Sequence, residues 1–305
     1  MRVIQDTHTA GERVIALGTF DGVHRGHSSL IRSAKKLAEE MEIPLRVCTF
    51  NRHPLEVLRP DKPPELLSTI PEKAIQMNLL GVDEMELMRF DRNTADMEPE
   101  AFLERLRTAT KVRAVVAGWN YTFGRKGRGD AELLKADGET HGYRVLIVPP
   151  ETLEDGTAIS SSLVREMLKE GRIGEARDLL GHDYSITGTV VQGKHQGRNL
   201  GFPTANIEPW KRKSLPKYGV YTCLLDTGEK TLPAVANIGN QPTMPSGHVT
   251  VEAHALQDGP ALYGKKVRLT LLTMLREEKR FDSPEALREQ IEMDRVEAMK
   301  LFNMA

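Results

Sequence analysis

Two histidines three residues apart, His24 and His27, stand in the segment GTFDGVHRGH (18–27). The run ahead of them, VIALGTF (14–20), is a short apolar stretch of buried-strand type. Asp21 and Gly22 then turn the chain, and SLIRSAKKLAEE (29–40) has helical composition and spacing. A strand, a tight glycine-containing turn and a helix start present backbone N–H groups and a positive dipole end to an anion. Both imidazoles of such a turn can face one phosphate group. A single histidine near a helix start is ordinarily a cap or a surface residue. Two of them, with Gly18, Phe20, Asp21, Gly22 and Gly26 around them, point to a turn that binds the phosphates of a nucleotide.

Three further segments offer phosphate or metal chemistry. AGWNYTFGRKGRGD (117–130) sets Arg125, Lys126 and Arg128 among Gly124, Gly127 and Gly129, the composition of a mobile cationic loop; a solvated surface loop has the same texture. ISSSLVR (159–165) offers the hydroxyls of Ser161 and Ser162 and the guanidinium of Arg165 on one helical turn, able to hold a triphosphate, although plain N-capping by itself explains such serines. GKHQGRNLGFPTAN (193–206) spaces Gly193, Gly197 and Gly201 at every fourth position, carries the basic Lys194, and ends in Pro203, Thr204, Ala205 and Asn206. No Gly-Lys-Ser/Thr closes it, so it is not a Walker A loop. Its glycines let backbone approach phosphates closely. If PTAN is extended, Thr204 and Asn206 point the same way, and a hydroxyl beside an amide oxygen suits Mg²⁺ that keeps waters and nucleotide oxygens. The competing view is a glycine-rich hairpin. Glu252, in VTVEAHAL (249–256), is evenly balanced between a general base of raised pKa and an outward-facing polar residue sharing a face with His254.

The elements that must position these residues fall into two textures. Strand patterns at 14–19, 45–50, 85–90, 114–117 and 144–148 alternate with helix patterns at 29–40, 71–80, 99–109 and 130–141, predicting a mostly parallel sheet covered on both faces. GTFDG then sits at a strand's carboxyl end, where such sheets gather ligands. Helices follow at 160–169 and 173–180, and the expected domain boundary is Gly181. From Tyr184 onward, strand-like runs at 184–192, 219–225, 232–238, 249–256 and 266–274 predict an antiparallel sheet or small barrel. A last helix opens at Ser283-Pro284-Glu285, with Leu287, Ile291, Ala298 and Leu301 as its expected inner face.

The 305 residues suffice for two domains, and 42 basic against 43 acidic side chains leave a formal charge of -1. That balance argues against a chain that coats nucleic acid. Two distant cysteines make neither a disulfide framework nor a metal site, and no apolar run approaches membrane-span length, so a cytoplasmic setting is expected. No motif speaks to the oligomeric state.

Taken together, GTFDGVHRGH, AGWNYTFGRKGRGD, ISSSLVREML, GRNLGFPTANI, GVYTCLL, NIGNQPT, VEAHAL, LYGKKV and LREEKRFDS resemble, in order, the motifs of the bacterial bifunctional riboflavin kinase/FAD synthetase family. The resemblance covers nearly the whole chain. It implies a Rossmann-like nucleotidyltransferase domain (1–181) followed by a six-stranded antiparallel barrel with a C-terminal helix (182–305). It also implies two activities, riboflavin and ATP giving FMN and ADP in the second domain, and FMN and ATP giving FAD and pyrophosphate in the first. By resemblance His24 and His27 hold phosphate oxygens, Ser161, Ser162 and Arg165 grip the phosphate tail, Asn120 and Phe123 meet flavin or nucleotide, Glu252 is the kinase base, Thr204 and Asn206 hold Mg²⁺, and Arg276 lies near the flavin. Riboflavin, FMN and ATP are the expected partners. Arg52, Gln241, Met244, Gln257 and Glu277 depart from the family's usual residues, mostly in the kinase half. A narrower reading therefore keeps the adenylyltransferase alone, with a degenerate flavin-binding regulatory kinase-like domain, and a third is a flavin- or nucleotide-binding regulator without turnover.

Overall fold

In the first half of the chain the apolar runs become strands β1 (Arg2–Ile4), β2 (Glu12–Leu17), β3 (Leu45–Phe50), β4 (Glu84–Met88), β5 (Lys111–Gly118) and β6 (Arg144–Val148). The protein is described from a computed structural model at residues 1–192, 202–240 and 249–304. The six strands form one sheet in the order β1-β4-β3-β2-β5-β6, every neighbouring pair parallel. The helices between them are α1 (Arg25–Glu40), α2 (Pro54–Leu58), α3 (Ile70–Leu79), α4 (Arg92–Ala95), α5 (Pro99–Ala109) and α6 (Ala131–His141).

Successive side chains along a strand point to opposite faces, so each central strand feeds two cores. Val14, Ala16, Val47 and Met85 pack with Ile31 and Ala34 of α1 and Met77 of α3. Ile15, Leu17, Cys48 and Val115 pack with Leu103 and Leu106 of α5 and Leu134 of α6. From β2 the sheet grows one way through β3 and β4 and the other way through β5 and β6. This reversal opens a crevice at the carboxyl ends of β2 and β5, where GTFDG and AGWNY leave the sheet. α1 begins at Arg25, four residues earlier than expected, because the His24 side chain caps it by accepting the His27 N–H at 3.4 Å. β1, three residues at the sheet edge beside β4, escaped the sequence pattern.

At the opposite end of the sheet lies a buried charge network. Arg46, fully enclosed, and Arg13 both bond the carboxylate of Glu84, at 2.8–3.3 Å, and Arg46 also reaches Glu86 at 3.2 Å.

The second unit spans Ser162–Ala305, and the first Met1–Ser161. Helices α7 (Ser161–Glu170) and α8 (Ile173–Leu180) thus group largely with the second unit, whereas the sequence texture puts the division after Gly181. Local contacts explain the grouping. The Lys217 N–H donates to the Leu168 carbonyl at 2.8 Å, and a Cβ on Gly171 would come within 2.6 Å of Met274 Sδ.

Strands β7 (Ser185–Val191), β8 (Ala205–Pro209), β9 (Gly219–Asp226), β10 (Thr231–Asn240), β11 (Val249–Ala255) and β12 (Lys266–Glu277) close into an antiparallel barrel in the order β10-β11-β8-β7-β12-β9. Inward positions such as Ile186, Ile207, Cys223, Ala236, Val251 and Leu269 fill it. The sixth strand, β8, begins inside the PTAN segment, at Ala205. α9 (Pro284–Leu301) follows, capped by the Ser283 hydroxyl, which accepts the Ala286 N–H at 3.1 Å. Its inner face differs from expectation: Leu301 is exposed, while Asp294 is buried beside Ala298. A carboxylate can occupy that position because Arg276 pairs with it.

Replacing Glu84 by Gln removes the only carboxylate bonded to the buried Arg13 among the described residues and leaves Arg46 with Glu86 alone, so a loss of about 3 kcal/mol is expected, read as a lower urea midpoint. Burial alone would raise the Glu84 pKa, but hydrogen bonds and charge from Arg13 and Arg46 override it and hold the carboxyl at about 2, against an ordinary 4.5. Its contribution to stability is complete above the ordinary value and is lost as pH falls towards 2.

Candidate functional site

The turn from β2 into α1 is backbone-strained. Phe20 has φ 50° and Val23 φ 44°, both left-handed without being glycine, with Gly22 at φ 79° between them. Such a conformation persists only where surroundings over-determine it, and three sets of contacts do so here. The buried Asp21 carboxylate accepts the backbone N–H groups of Leu67 and Ser68, both at 3.1 Å. The Ser68 hydroxyl in turn accepts the Gly22 N–H at 2.9 Å. Lys73, in the first turn of α3, donates from Nζ to the Thr19 carbonyl at 2.6 Å and to the Thr49 hydroxyl at 3.3 Å. Gly18 is required by closeness rather than by φ, since a Cβ there would lie 2.9 Å from the Phe20 ring.

Above this turn the two imidazoles stack, with ring centroids 3.7 Å apart. His27 also meets the edge of Phe20. Its Nδ1 is buried and has no hydrogen-bond partner. Burial first, then His24 and Lys73, hold the His27 pKa well below its ordinary value, so the ring is neutral at neutral pH. It therefore offers a phosphate one N–H rather than a charge. The Asp21 carboxylate, through Leu67 and Ser68, anchors the turn. Burial pushes the Lys73 ammonium down to about 8, against the pull of Asp21.

Around this centre the Ser161 hydroxyl donates to the Asp21 carbonyl at 3.0 Å, joining the ISSS segment to the GTFDG turn. Ser162 and Arg165 follow on the same helix. Gly26 passes close to the His24 ring and the Ile159 carbonyl; a Cβ there would lie 3.3 Å and 3.7 Å away. Asn120 lies beside Gly118 at the end of β5 and is exposed.

The loop after β5 is cationic and exposed, and two of its cations are paired. Arg125 and Arg128 both pair with Glu98, at 3.3 and 3.1 Å. The Arg125 N–H also donates to the Met97 carbonyl at 2.7 Å. Phe123 is only 5 % exposed, packed between Phe102 and Tyr121 and against Gly129. Its ring is thus part of the apolar core.

In the second unit, the barrel register brings the other candidates together. Asn206 of β8 is the cross-strand partner of Glu252 on β11, and Val191 and Asn237 flank that pair. Opposed residues in an antiparallel pair share a face. Because Val251, Ala253 and Ile207 point into the barrel, Glu252 and Asn206 stand outside it. Of the two readings of Glu252, the structure bears on its orientation: it faces outward, beside the PTAN amide. Thr204, Asn206, Phe202, Pro203 and His254 line a cavity of about 960 Å³ that extends to Arg288 and Arg295 of α9. His254 Nδ1–H donates to the Pro203 carbonyl at 2.9 Å, fixing that ring's tautomer and the start of β8. Gly193, Lys194, Gly197, Gly201, Gln241 and Met244 lie outside the described residues.

Arg276 sits at a register shift in β12 and forks onto Asp294 of α9 at 2.8–3.1 Å. Gln290 supports the same carboxylate at 2.8 Å. Sequence reading missed Asp294, Glu98 and Lys73, because each is an ordinary charged residue on a helical pattern or in a loop until its partner is placed.

Asp21→Asn would present an amide donor to one of the two N–H groups now held by the carboxylate. A loss of about 1–3 kcal/mol is expected, measured as a lower thermal midpoint.

Comparison with known proteins agrees with this division. The family model for FAD synthetase matches residues 6–163, and that for riboflavin kinase matches residues 180–302. The chain is 36% identical over 312 residues to the bifunctional riboflavin kinase/FMN adenylyltransferase of Escherichia coli K12, covering 100% of this chain and 99% of that one. It is 32% identical to the protein so described in Bacillus subtilis, covering 99% of each. Among solved structures, a Streptococcus pneumoniae protein described as a macrolide-efflux protein superposes with a TM-score of 0.86 at 31% identity, covering 96% of this chain and 97% of that one. No helix among the described residues is long and apolar enough to cross a membrane.

Proposed function

Because the chain belongs to the bifunctional riboflavin kinase/FMN adenylyltransferase family, we propose how its own residues divide that family's two reactions. It phosphorylates riboflavin to FMN and adenylylates FMN to FAD; the narrower reading with an inactive kinase half is not favoured, since both family models match. We assign adenylyl transfer to residues 1–181 and the kinase to 182–305. The segment between the two family matches, 164–179, holds most of α7 and α8.

In adenylyl transfer an FMN phosphate oxygen attacks the α-phosphorus of ATP, and the bond to the β-phosphate oxygen breaks to release pyrophosphate. The nucleophile is already anionic at neutral pH, so no strong base is needed and catalysis rests on positioning and charge stabilisation. The His24–His27 pair and the N–H groups at the start of α1 take the phosphate oxygens. Ser161, Ser162 and Arg165 hold the rest of the tail, and Asn120 borders the site at β5. What supports this is the buried, unpartnered Nδ1 of His27 at the carboxyl end of the central strand.

In the kinase step a neutral ribityl hydroxyl attacks the γ-phosphorus of ATP. Its proton passes to Glu252, and ADP leaves. The observation that carries this assignment is the register pair Asn206–Glu252, which sets a carboxylate next to the PTAN amide on the outer face of the barrel. Kinases and nucleotidyltransferases of these families use ATP and generally a divalent metal. The hydroxyl of Thr204 and the amide oxygen of Asn206 are hard oxygen donors at the mouth of the cavity, a set that fits Mg²⁺ carrying its own waters. When bound there, the ion would neutralise charge on the ATP phosphates. To Arg276, held by Asp294, we assign the flavin side of the kinase, as the family resemblance implies. Two buried free thiols and the absence of a membrane-length helix among the described residues fit a reducing cytoplasm.

Incubation with riboflavin, ATP and Mg²⁺, followed by chromatographic separation of flavins, should yield both FMN and FAD; formation of neither would sink the reading. Glu252→Ala should lower FMN formation by at least about 100-fold while sparing FAD formation from added FMN. His27→Ala should do the reverse. Loss of both activities by either folded variant would show that the two sites are wrongly assigned.

A further inference from the structure

Lys73 is assigned no role in either reaction, yet it is buried directly beneath the strained turn. The Thr19 carbonyl, one peptide ahead of the left-handed Phe20, receives two donors: Lys73 Nζ at 2.6 Å and the Thr49 hydroxyl at 2.9 Å. That carbonyl fixes the orientation of the Thr19–Phe20 peptide, and with it the course of the turn. Thr49 alone satisfies the hydrogen bond at no cost in charge. A buried methionine would fill the same volume without the penalty of desolvating an ammonium. The charge itself is what a purely structural role leaves unexplained.

The groups facing that ammonium say what the charge does. Asp21, in the β2–α1 turn, stabilises it. His27, on α1, feels it as one of three influences keeping its imidazole unprotonated. Thr49, on β3, is neutral. A cation at the floor of a phosphate-binding turn, out of water, acts strongly on charge accumulating on a departing pyrophosphate.

We propose that Lys73 is a positioning residue for adenylyl transfer: it locks the Thr19–Phe20 peptide so that the turn presents His24 and His27 to the phosphates, and it keeps a buried positive charge beneath them. The inference rests on the adenylyl-transfer reading of this turn. It has a signature that packing alone does not produce. Burial leaves the ammonium titrating at about 8, so in the free enzyme its charge is lost as pH rises through that value. Arginine at the same place stays charged throughout the range.

The test is kcat/KM for ATP in FAD formation from FMN, measured with the full chain between about pH 7 and 10 for the wild type, Lys73→Arg and Lys73→Met. Kinase rate and thermal midpoint report the folding of each variant. The wild type should decline by up to about tenfold per pH unit above pH 8. Lys73→Arg should lack that decline, whatever its absolute rate. Lys73→Met should be at least about tenfold slower at pH 7, with no break near 8. A folded Lys73→Met within about twofold of the wild type, or a decline that persists unchanged in Lys73→Arg, overturns the proposal. If Lys73→Met fails to fold, the arginine profile decides alone. A wild type that makes FMN but no FAD would instead count against the adenylyl-transfer reading itself.

Discussion

A buried carboxylate holding two backbone N–H groups, Asp21 against Leu67 and Ser68, is the contact on which the first half of the molecule depends. The turn it holds contains two non-glycine residues in the left-handed region, each costing on the order of 1–3 kcal/mol. Hydrogen bonds to a charged acceptor contribute roughly as much apiece and so can offset that cost. The loop at 67–68 and the first turn of α3 act as a brace for a conformation the turn would not keep alone. Because the turn also begins α1, the brace determines where the helix N-terminus and the two imidazoles point.

The second half solves a different problem with a different device. In the barrel, Glu252 and Asn206 lie on the outer face, and their pairing comes from register. A shift of one residue between β8 and β11 would turn Glu252 or Asn206 into the barrel and part the pair. Inward Ile207, Val251 and Ala253 make that slip costly, since each would have to trade places with a polar neighbour. The apolar filling of the barrel is thereby also what keeps the carboxylate beside the amide.

Much of this was legible in the residues. The two-sided burial of β2, β3 and β5 showed as unbroken apolar runs, and α5, α8 and β6 lie where their patterns put them. Pairs that depend on long-range partners were not legible. β1 is three residues at an edge, too short to carry a period. The sequence at β8 fits both an extended PTAN and a glycine-rich hairpin, and its strand character comes from β7 and β11 on either side. The cations of the 117–130 loop look available in sequence because nothing local marks Glu98 as their partner. The family resemblance alone marks Phe123 as a ligand contact, and nothing local in the sequence announces its packing partner Phe102 on α5. Spacing alone marks Leu301 as buried, yet the buried position on that helix goes to Asp294 because Arg276 neutralises it.

The strand order has a consequence for how the chain comes off the ribosome. β2 lies at the centre of the first sheet, but its partner β5 is made only after β3 and β4 and the helices between them have emerged. Parallel pairing over such a separation carries the loop-closure entropy of all the chain between. Until residues 111–118 clear the exit tunnel, one edge of β2 is open and its apolar face incomplete. The first unit is therefore finished late relative to its own start, yet before the barrel strands have all emerged. During synthesis the residues that match the FAD synthetase model emerge before those that match the riboflavin kinase model.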